Sequence, residues 1–139
     1  MVQTITKGFR ELVREAEARL ERLECADAIA LHGREDVIFV DVRDVRELER
    51  EGRIPGAFHC PRGMLEFWID PESPYAKPQF KEDKKFVFFC AGGLRSALAA
   101  HTAKRMGLKP VAHIEGGYGA WKKAGGPTEA WVPKARKGG

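Results

Sequence analysis

The chain has 139 residues, 43% hydrophobic and 32% charged, proportions ordinary for a globular domain with a core of its own. The net charge is +4 and the isoelectric point about 9.1, yet Lys134, Arg136 and Lys137 all lie in the last seven residues, where there is no acid. Setting these three aside lowers +4 to +1, so the body lacks the basic footprint of a nucleic-acid binder, and residues 133–139 read as a frayed, solubilising end.

Phe9, Leu12, Val13, Ala16, Leu20 and Leu23 recur at helical spacing. They predict an amphipathic helix over about 8–19, ending before a short strand near Leu20–Leu23. Ala26–Leu31 reads as a second short helix stopped by Gly33. Val37–Val40 is a continuous apolar run of strand length that ends at Asp41, the pattern of a strand covered on both faces. Val45–Arg50 reads as a helix closed by Gly52, and Ala57–Cys60 as a short strand. Residues Gly63 to Pro78 are the least regular part. Phe86–Phe89 is the best strand in the chain, followed by a helix over Ser96–Met106, a strand over Val111–Ile114 and a helix over Tyr118–Ala124. Strands and helices alternate, which predicts an α/β fold: a parallel sheet with helices on both faces. In such sheets function gathers at the carboxyl ends of the strands. Asp41 and Cys90 both stand at such ends.

Cys25, Cys60 and Cys90 are an odd set without short spacing, which argues against a disulfide framework and against zinc. Met1–Arg10 has no apolar signal core, and no run reaches membrane-spanning length. A reducing, cytoplasmic compartment is expected, with no membrane or nucleic-acid partner.

The most informative stretch is Cys90-Ala91-Gly92-Gly93-Leu94-Arg95-Ser96, directly after the best strand. A strand-end cysteine aimed into the mouth of a helix is a nucleophile in an anion cradle. Loop N–H groups converge on it, the helix dipole adds to their field, and that field favours thiolate over thiol. A lone cysteine after an apolar strand is usually a small buried hydrophobe. The Ala-Gly-Gly-x-Arg sequence that follows reverses the preference.

Three separated landmarks resemble the rhodanese (sulfurtransferase) family. They are Asp41-Val42-Arg43 with Glu47 and Gly52–Ala57, then the Cys90–Ser96 loop, which fits Cys-x-x-Gly-x-Arg-Ser, then Glu115-Gly116-Gly117-Tyr118 with Trp121, Gly125 and Pro127. The resemblance implies a five-stranded parallel sheet in a rhodanese-like single domain, 1–139, with its core at about 20–127. It implies a sulfurtransferase that carries a persulfide on Cys90. A small-molecule sulfur donor such as thiosulfate loads it, and a thiol, cyanide or a thiol protein unloads it; no cofactor or metal is implied. Arg53 departs from the histidine common there, at a turn remote in sequence from the cysteine. Residues 63–78 look long for a minimal member and are a candidate for choosing the acceptor.

Within this reading Cys90 is the nucleophile, and the amides of Ala91, Gly92, Gly93, Leu94, Arg95 and Ser96 bind the outer sulfur. Arg95 offers a charged fork to an oxyanion. The cycle is ping-pong. Cysteine phosphatases and arsenate reductases are a rival class, but phosphatase loops follow Cys-x5-Arg. Here Arg95 gives Cys-x4-Arg, a ring one residue short for a phosphoryl group. A non-catalytic or regulatory rhodanese module is the other rival; inactive modules commonly lack the cysteine this chain keeps.

The remaining residues divide between structure and support. Asp41 caps the following turn or acts from behind the loop, and Arg43 pairs with Glu47 four residues on or supports the site. Phe67-Trp68 forms a pocket wall or plain packing. Cys25 and Cys60 read as buried structural thiols, a resolving role for Cys60 requiring proximity to Cys90. His59 and His113 read as satisfied core or surface groups, Gly116-Gly117 as a tight turn, and Trp121 as core.

Overall fold

In the computed structural model, which describes residues 2–133, the chain runs α1 (Phe9–Glu17), β1 (Glu21–Leu23), α2 (Cys25–Leu31), β2 (Val37–Asp41), α3 (Val45–Glu51), β3 (Phe58–His59), α4 (Leu65–Ile69), β4 (Lys85–Phe89), α5 (Leu94–Arg105), β5 (Val111–Ile114) and α6 (Gly117–Lys123), with 3₁₀ turns at Arg62–Met64 and Pro78–Lys81. Of the basic end foreseen at 133–139, residues 134–139 lie outside the described residues. The five strands form one parallel sheet in the order β1-β5-β4-β2-β3.

The central strand explains the layering. Side chains alternate across a strand, so Phe86 and Phe88 enter one core and Val87 and Phe89 the other. The first core takes Leu65 of α4 and Ala99, Ala100 and Ala103 of α5. Alanines on that face let α5 lie close to the sheet. The second core takes Ala28 of α2 and Tyr118 and Trp121 of α6. Helix α1 packs Val13 and Ala16 against Ala97 of α5.

Most predicted elements form within a residue or two of expectation. The first helix stops at Glu17, because Leu23 joins the sheet core through β1. Helix α5 starts two residues earlier than read, at Leu94, since Gly93 in the left-handed region (φ +100) turns the chain there. The 63–78 segment holds the short α4, which its five residues made invisible to a periodicity argument.

Register decides where the site falls. Asp41 of β2 stands beside Phe89 of β4, and the Val42 N–H donates to the Phe89 carbonyl at 3.0 Å. The ends of β2 and β4 are therefore level, and Asp41-Val42-Arg43 runs beside Cys90.

On the opposite layer Trp121 is fully buried. Its ring meets Phe39 edge-on at 5.7 Å, and its indole N–H donates to the Pro127 carbonyl at 2.8 Å. Trp121→Ala is expected to cost about 3–5 kcal/mol, read as a lower midpoint in urea denaturation. A loss below about 1 kcal/mol would show that α6 is held by other contacts.

Candidate active site

Cys90 follows β4, and its side chain lies under the loop that opens α5. The backbone N–H groups of Gly93 and Ser96 donate to Cys90 Sγ at 3.1 and 3.4 Å. The thiol in turn reaches Ser96 Oγ at 3.6 Å. The cradle is narrower than the expected ring of amides from Ala91 to Ser96. Two N–H groups of the loop reach the sulfur, and Leu94 points outward, half exposed. The Cys90 residue is 1% exposed, while Ala91 and Gly92 above it are open to solvent.

Helix α6 fixes the loop from behind. The Tyr118 and Gly119 N–H groups donate to the carbonyls of Cys90 (2.8 Å) and Ala91 (3.1 Å). A Cβ on Gly117 would sit 2.4 Å from the Cys90 carbonyl oxygen, and Gly117 also has φ +61. The Gly116-Gly117 doublet thus does more than turn the chain; it permits this approach. The sequence carried that signal in two glycines one residue after an apolar strand.

Asp41 and Arg43 pair with each other, each 1% exposed. The guanidinium grips the carboxylate through Nε and Nη2, at 3.0 and 2.8 Å, and Asp41 also accepts the Arg43 backbone N–H at 3.0 Å. Arg43 Nη2 donates further to the Gly52 carbonyl at 2.9 Å, and the guanidinium carbon lies 4.2 Å from the centre of the Tyr118 ring. The pair ties β2, the end of α3 and α6 together behind the loop, and the Arg43–Glu47 alternative does not form.

Glu47 instead takes Arg95. The two terminal nitrogens of Arg95 donate to the two Glu47 oxygens, each at 2.8 Å. The fork expected to meet an oxyanion holds a carboxylate in this structure, in the bidentate geometry such a fork favours. Glu47 is also committed at the N-terminus of α3, where it and Asp44 form a capping box. The Arg95 hydrogen bonds hold the Glu47 carboxyl well below its usual 4.5, at about 2.

A cavity of about 420 Å³ opens beside Ala91, lined among others by Arg43, Arg50, Tyr118, Lys122 and Lys123. Phe67 and Trp68 are elsewhere. Phe67 is exposed against Tyr75, and Trp68 packs on Phe58 under the Lys77 ammonium. Neither ring lines this cavity, and the contacts they make, with Tyr75 for Phe67 and with Phe58 and Lys77 for Trp68, are packing contacts. Cys60 is fully buried and desolvation pushes its thiol up to about 12, which suits a structural thiol rather than a resolving one. Burial also raises Cys25. Arg53 turns back on its own loop, donating to the carbonyls of Ile54 and Ala57 at 3.3 Å. His113, read from sequence as a satisfied core or surface group, lies behind Ser96, with Nδ1 3.3 Å from Ser96 Oγ.

A cysteine at the end of a central parallel strand, its sulfur met by backbone N–H groups at the head of the next helix, places the chain among α/β proteins with a strand–loop–helix cysteine site. Within that class the chain belongs to the rhodanese-like domain family, whose model matches residues 24–124. A solved structure from Rhodopseudomonas palustris, described as a protein of unknown function and possible tyrosine phosphatase, is 69% identical and superimposes with a TM-score of 0.90, over 93% of this chain and 99% of that one. The mouse thiosulfate sulfurtransferase/rhodanese-like domain-containing protein 3 is 29% identical over 91 residues, 62% of this chain and 58% of its own length. The tRNA uridine(34) hydroxylase of Cronobacter sakazakii is 32% identical over 97 residues, 70% of this chain and 27% of that protein. The chain thus spans little more than half of the first curated relative and about a quarter of the second.

Two outcomes are expected. Arg43→Leu strands the buried Asp41 carboxylate and should cost about 3–5 kcal/mol in chemical denaturation; a change within experimental error would mean Asp41 finds water. The depressed Glu47 carboxyl contributes stability above its unfolded value of 4.5, and that contribution is lost as pH falls from there through about 2. Glu47→Gln should accordingly flatten the acid limb of the stability–pH curve in this window, and an unaltered limb would contradict the ion pair.

Proposed function

We propose that this chain is a sulfurtransferase that carries a sulfane sulfur on Cys90 as a persulfide. The observation that supports it is the Cys90 sulfur receiving the Gly93 and Ser96 N–H groups at the head of α5. Such donors stabilise negative charge on Sγ without moving, as a preorganised site requires. With thiosulfate as donor, the thiolate attacks the outer sulfur. A new S–S bond forms on Cys90, the donor's S–S bond breaks, and its electron pair leaves with sulfite. An acceptor thiolate or cyanide then takes the outer sulfur and returns the Cys90 thiolate. The cavity beside Ala91 sets Arg43, Arg50, Lys122 and Lys123 against Glu47 and Glu51, a modest basic excess that suits an anionic donor. The family membership and the name of the mouse relative point the same way.

Arg95 acts here by fixing the loop to α3 through Glu47, rather than by gripping the donor. The same pairing disfavours the phosphatase reading suggested by the description of the Rhodopseudomonas structure. A phosphoryl group needs a free fork over the sulfur, whereas both terminal nitrogens of Arg95 are engaged. Three free thiols suit a reducing, cytoplasmic compartment, and no helix among the described residues is long and apolar enough to cross a membrane.

Incubation with thiosulfate should raise the intact mass by one sulfur atom, and cyanide should remove it. Cys90→Ser should abolish the gain. A gain that persists in Cys90→Ser would move the carrier elsewhere. No gain with thiosulfate or polysulfide in the parent protein would leave a non-catalytic module as the better description.

A further inference from the structure

Behind the cysteine a line of polar groups crosses a region that is otherwise apolar. The Cys90 thiol reaches Ser96 Oγ at 3.6 Å, and Ser96 Oγ lies 3.3 Å from His113 Nδ1. His113 Nε2 faces the Glu17 carboxylate, with 3.3 Å to Oε2. Ser96 is fully buried and His113 is 1% exposed. His113 Nε2 makes no well-aligned hydrogen bond, so its approach to Glu17 is an electrostatic contact rather than a formed bond. A buried polar nitrogen without a partner is rare enough to require an explanation.

The four groups come from four elements: the end of β4, the first turn of α5, β5 and the last residue of α1. Glu17 lies outside residues 24–124, the span shared with the family model. The carboxylate is therefore supplied by the N-terminal helix, which α5 receives through Val13, Ala16 and Ala97.

We propose that Ser96, His113 and Glu17 form a proton relay that takes the thiol proton of Cys90, making His113 the internal base of the site. This rests on Cys90 being the sulfur carrier. The Cys90 proton passes to Ser96 Oγ as the Ser96 hydroxyl proton passes to His113 Nδ1. A neutral thiol and a neutral imidazole become a thiolate and an imidazolium, with no net charge gained or lost. Afterwards the Ser96 hydroxyl donates back to the thiolate beside the N–H groups of Gly93 and Ser96. The imidazolium holds one proton toward Ser96 and the other toward the Glu17 carboxylate. Ser96 is thus a relay atom, and Glu17 a positioning residue that acts through His113.

The surroundings of His113 fit a base that takes no proton from solvent but can share the thiol proton of Cys90. Burial lowers its pKa, while Glu17 and then Glu115 oppose that shift and Arg22 adds to it. Arg22 on β1 bridges the two acids, at 3.9 Å from Glu17 and 3.3 Å from Glu115. Ser96 on α5 and Cys90 at the end of β4 complete the polar groups facing the ring. A neutral imidazole can accept a proton, and the nearby carboxylates stabilise the cation once it forms.

The test reads the thiolate itself, without any sulfur donor, as the ultraviolet thiolate absorbance lost in Cys90→Ala. In His113→Phe the Cys90 thiolate fraction at neutral pH should fall about tenfold, and raising the pH should restore it, because hydroxide then removes the proton. Ser96→Ala should behave likewise. Glu17→Gln, at a partly buried position, should lower the fraction about threefold; it carries the test if His113→Phe does not fold. An unchanged thiolate fraction at every pH in folded variants would overturn the relay, as would a parent protein with no Cys90 thiolate at neutral pH. Should the fraction fall as expected while thiosulfate never loads the parent protein, the relay stands and the sulfurtransferase reading fails.

Discussion

The site depends on one close approach of backbone to backbone. The chain leaving β5 presses the start of α6 against the loop that leaves β4, so that Tyr118 and Gly119 donate to the carbonyls of Cys90 and Ala91. That contact is too tight for any side chain at residue 117. With its carbonyls held from behind, the loop turns other N–H groups, those of Gly93 and Ser96, toward the sulfur. Backbone dipoles fixed in this way stabilise charge without a reorganisation cost at the moment of reaction. Adjacency of β4 and β5 in the sheet makes the approach possible.

Around this contact the ionic groups are divided by burial. The Asp41–Arg43 pair is closed and fully desolvated, and its value is geometric. A buried ion pair offsets its own desolvation at best, but breaking it leaves a charge with no partner. The Glu47–Arg95 pair is partly open and links α3 to the first turn of α5. Glu47 has two partners there, the Asp44 N–H and the Arg95 fork, which is why it does not reach Arg43. The arginine nearest the cysteine in sequence is thus tied to α3.

The family shared by this chain describes a scaffold more than a single activity. Its relatives here include a mouse thiosulfate sulfurtransferase/rhodanese-like domain-containing protein and a tRNA uridine(34) hydroxylase of which the shared segment is 27%. What a given member does is set by the loop and by the groups brought up behind it. In this chain those groups include a buried serine–histidine pair and a carboxylate from a helix outside the shared span. An N-terminal helix that looks like packing from its apolar stripe therefore also brings charge to the back of the site.

The order of the strands in the sheet came from the structure, while the sequence determined the strands, their membership of a parallel sheet and the position of the cysteine. These are local facts: apolar runs that alternate into two cores, a glycine pair after a strand-end cysteine, and a helix that begins at once. The sequence also held the tight turn at Gly116-Gly117, whereas Glu47, read as a partner of Arg43, closes the capping box of α3 in the structure. Tertiary structure decided which charge meets which, since partners 48 residues apart, such as Glu47 and Arg95, leave no periodic trace. It likewise decided that Phe67 and Trp68 belong to packing, that Cys60 is a desolvated thiol, and that His113 stands behind Ser96. Spacing along a chain fixes which face a side chain takes, but burial and the approach of distant elements fix what it finds there.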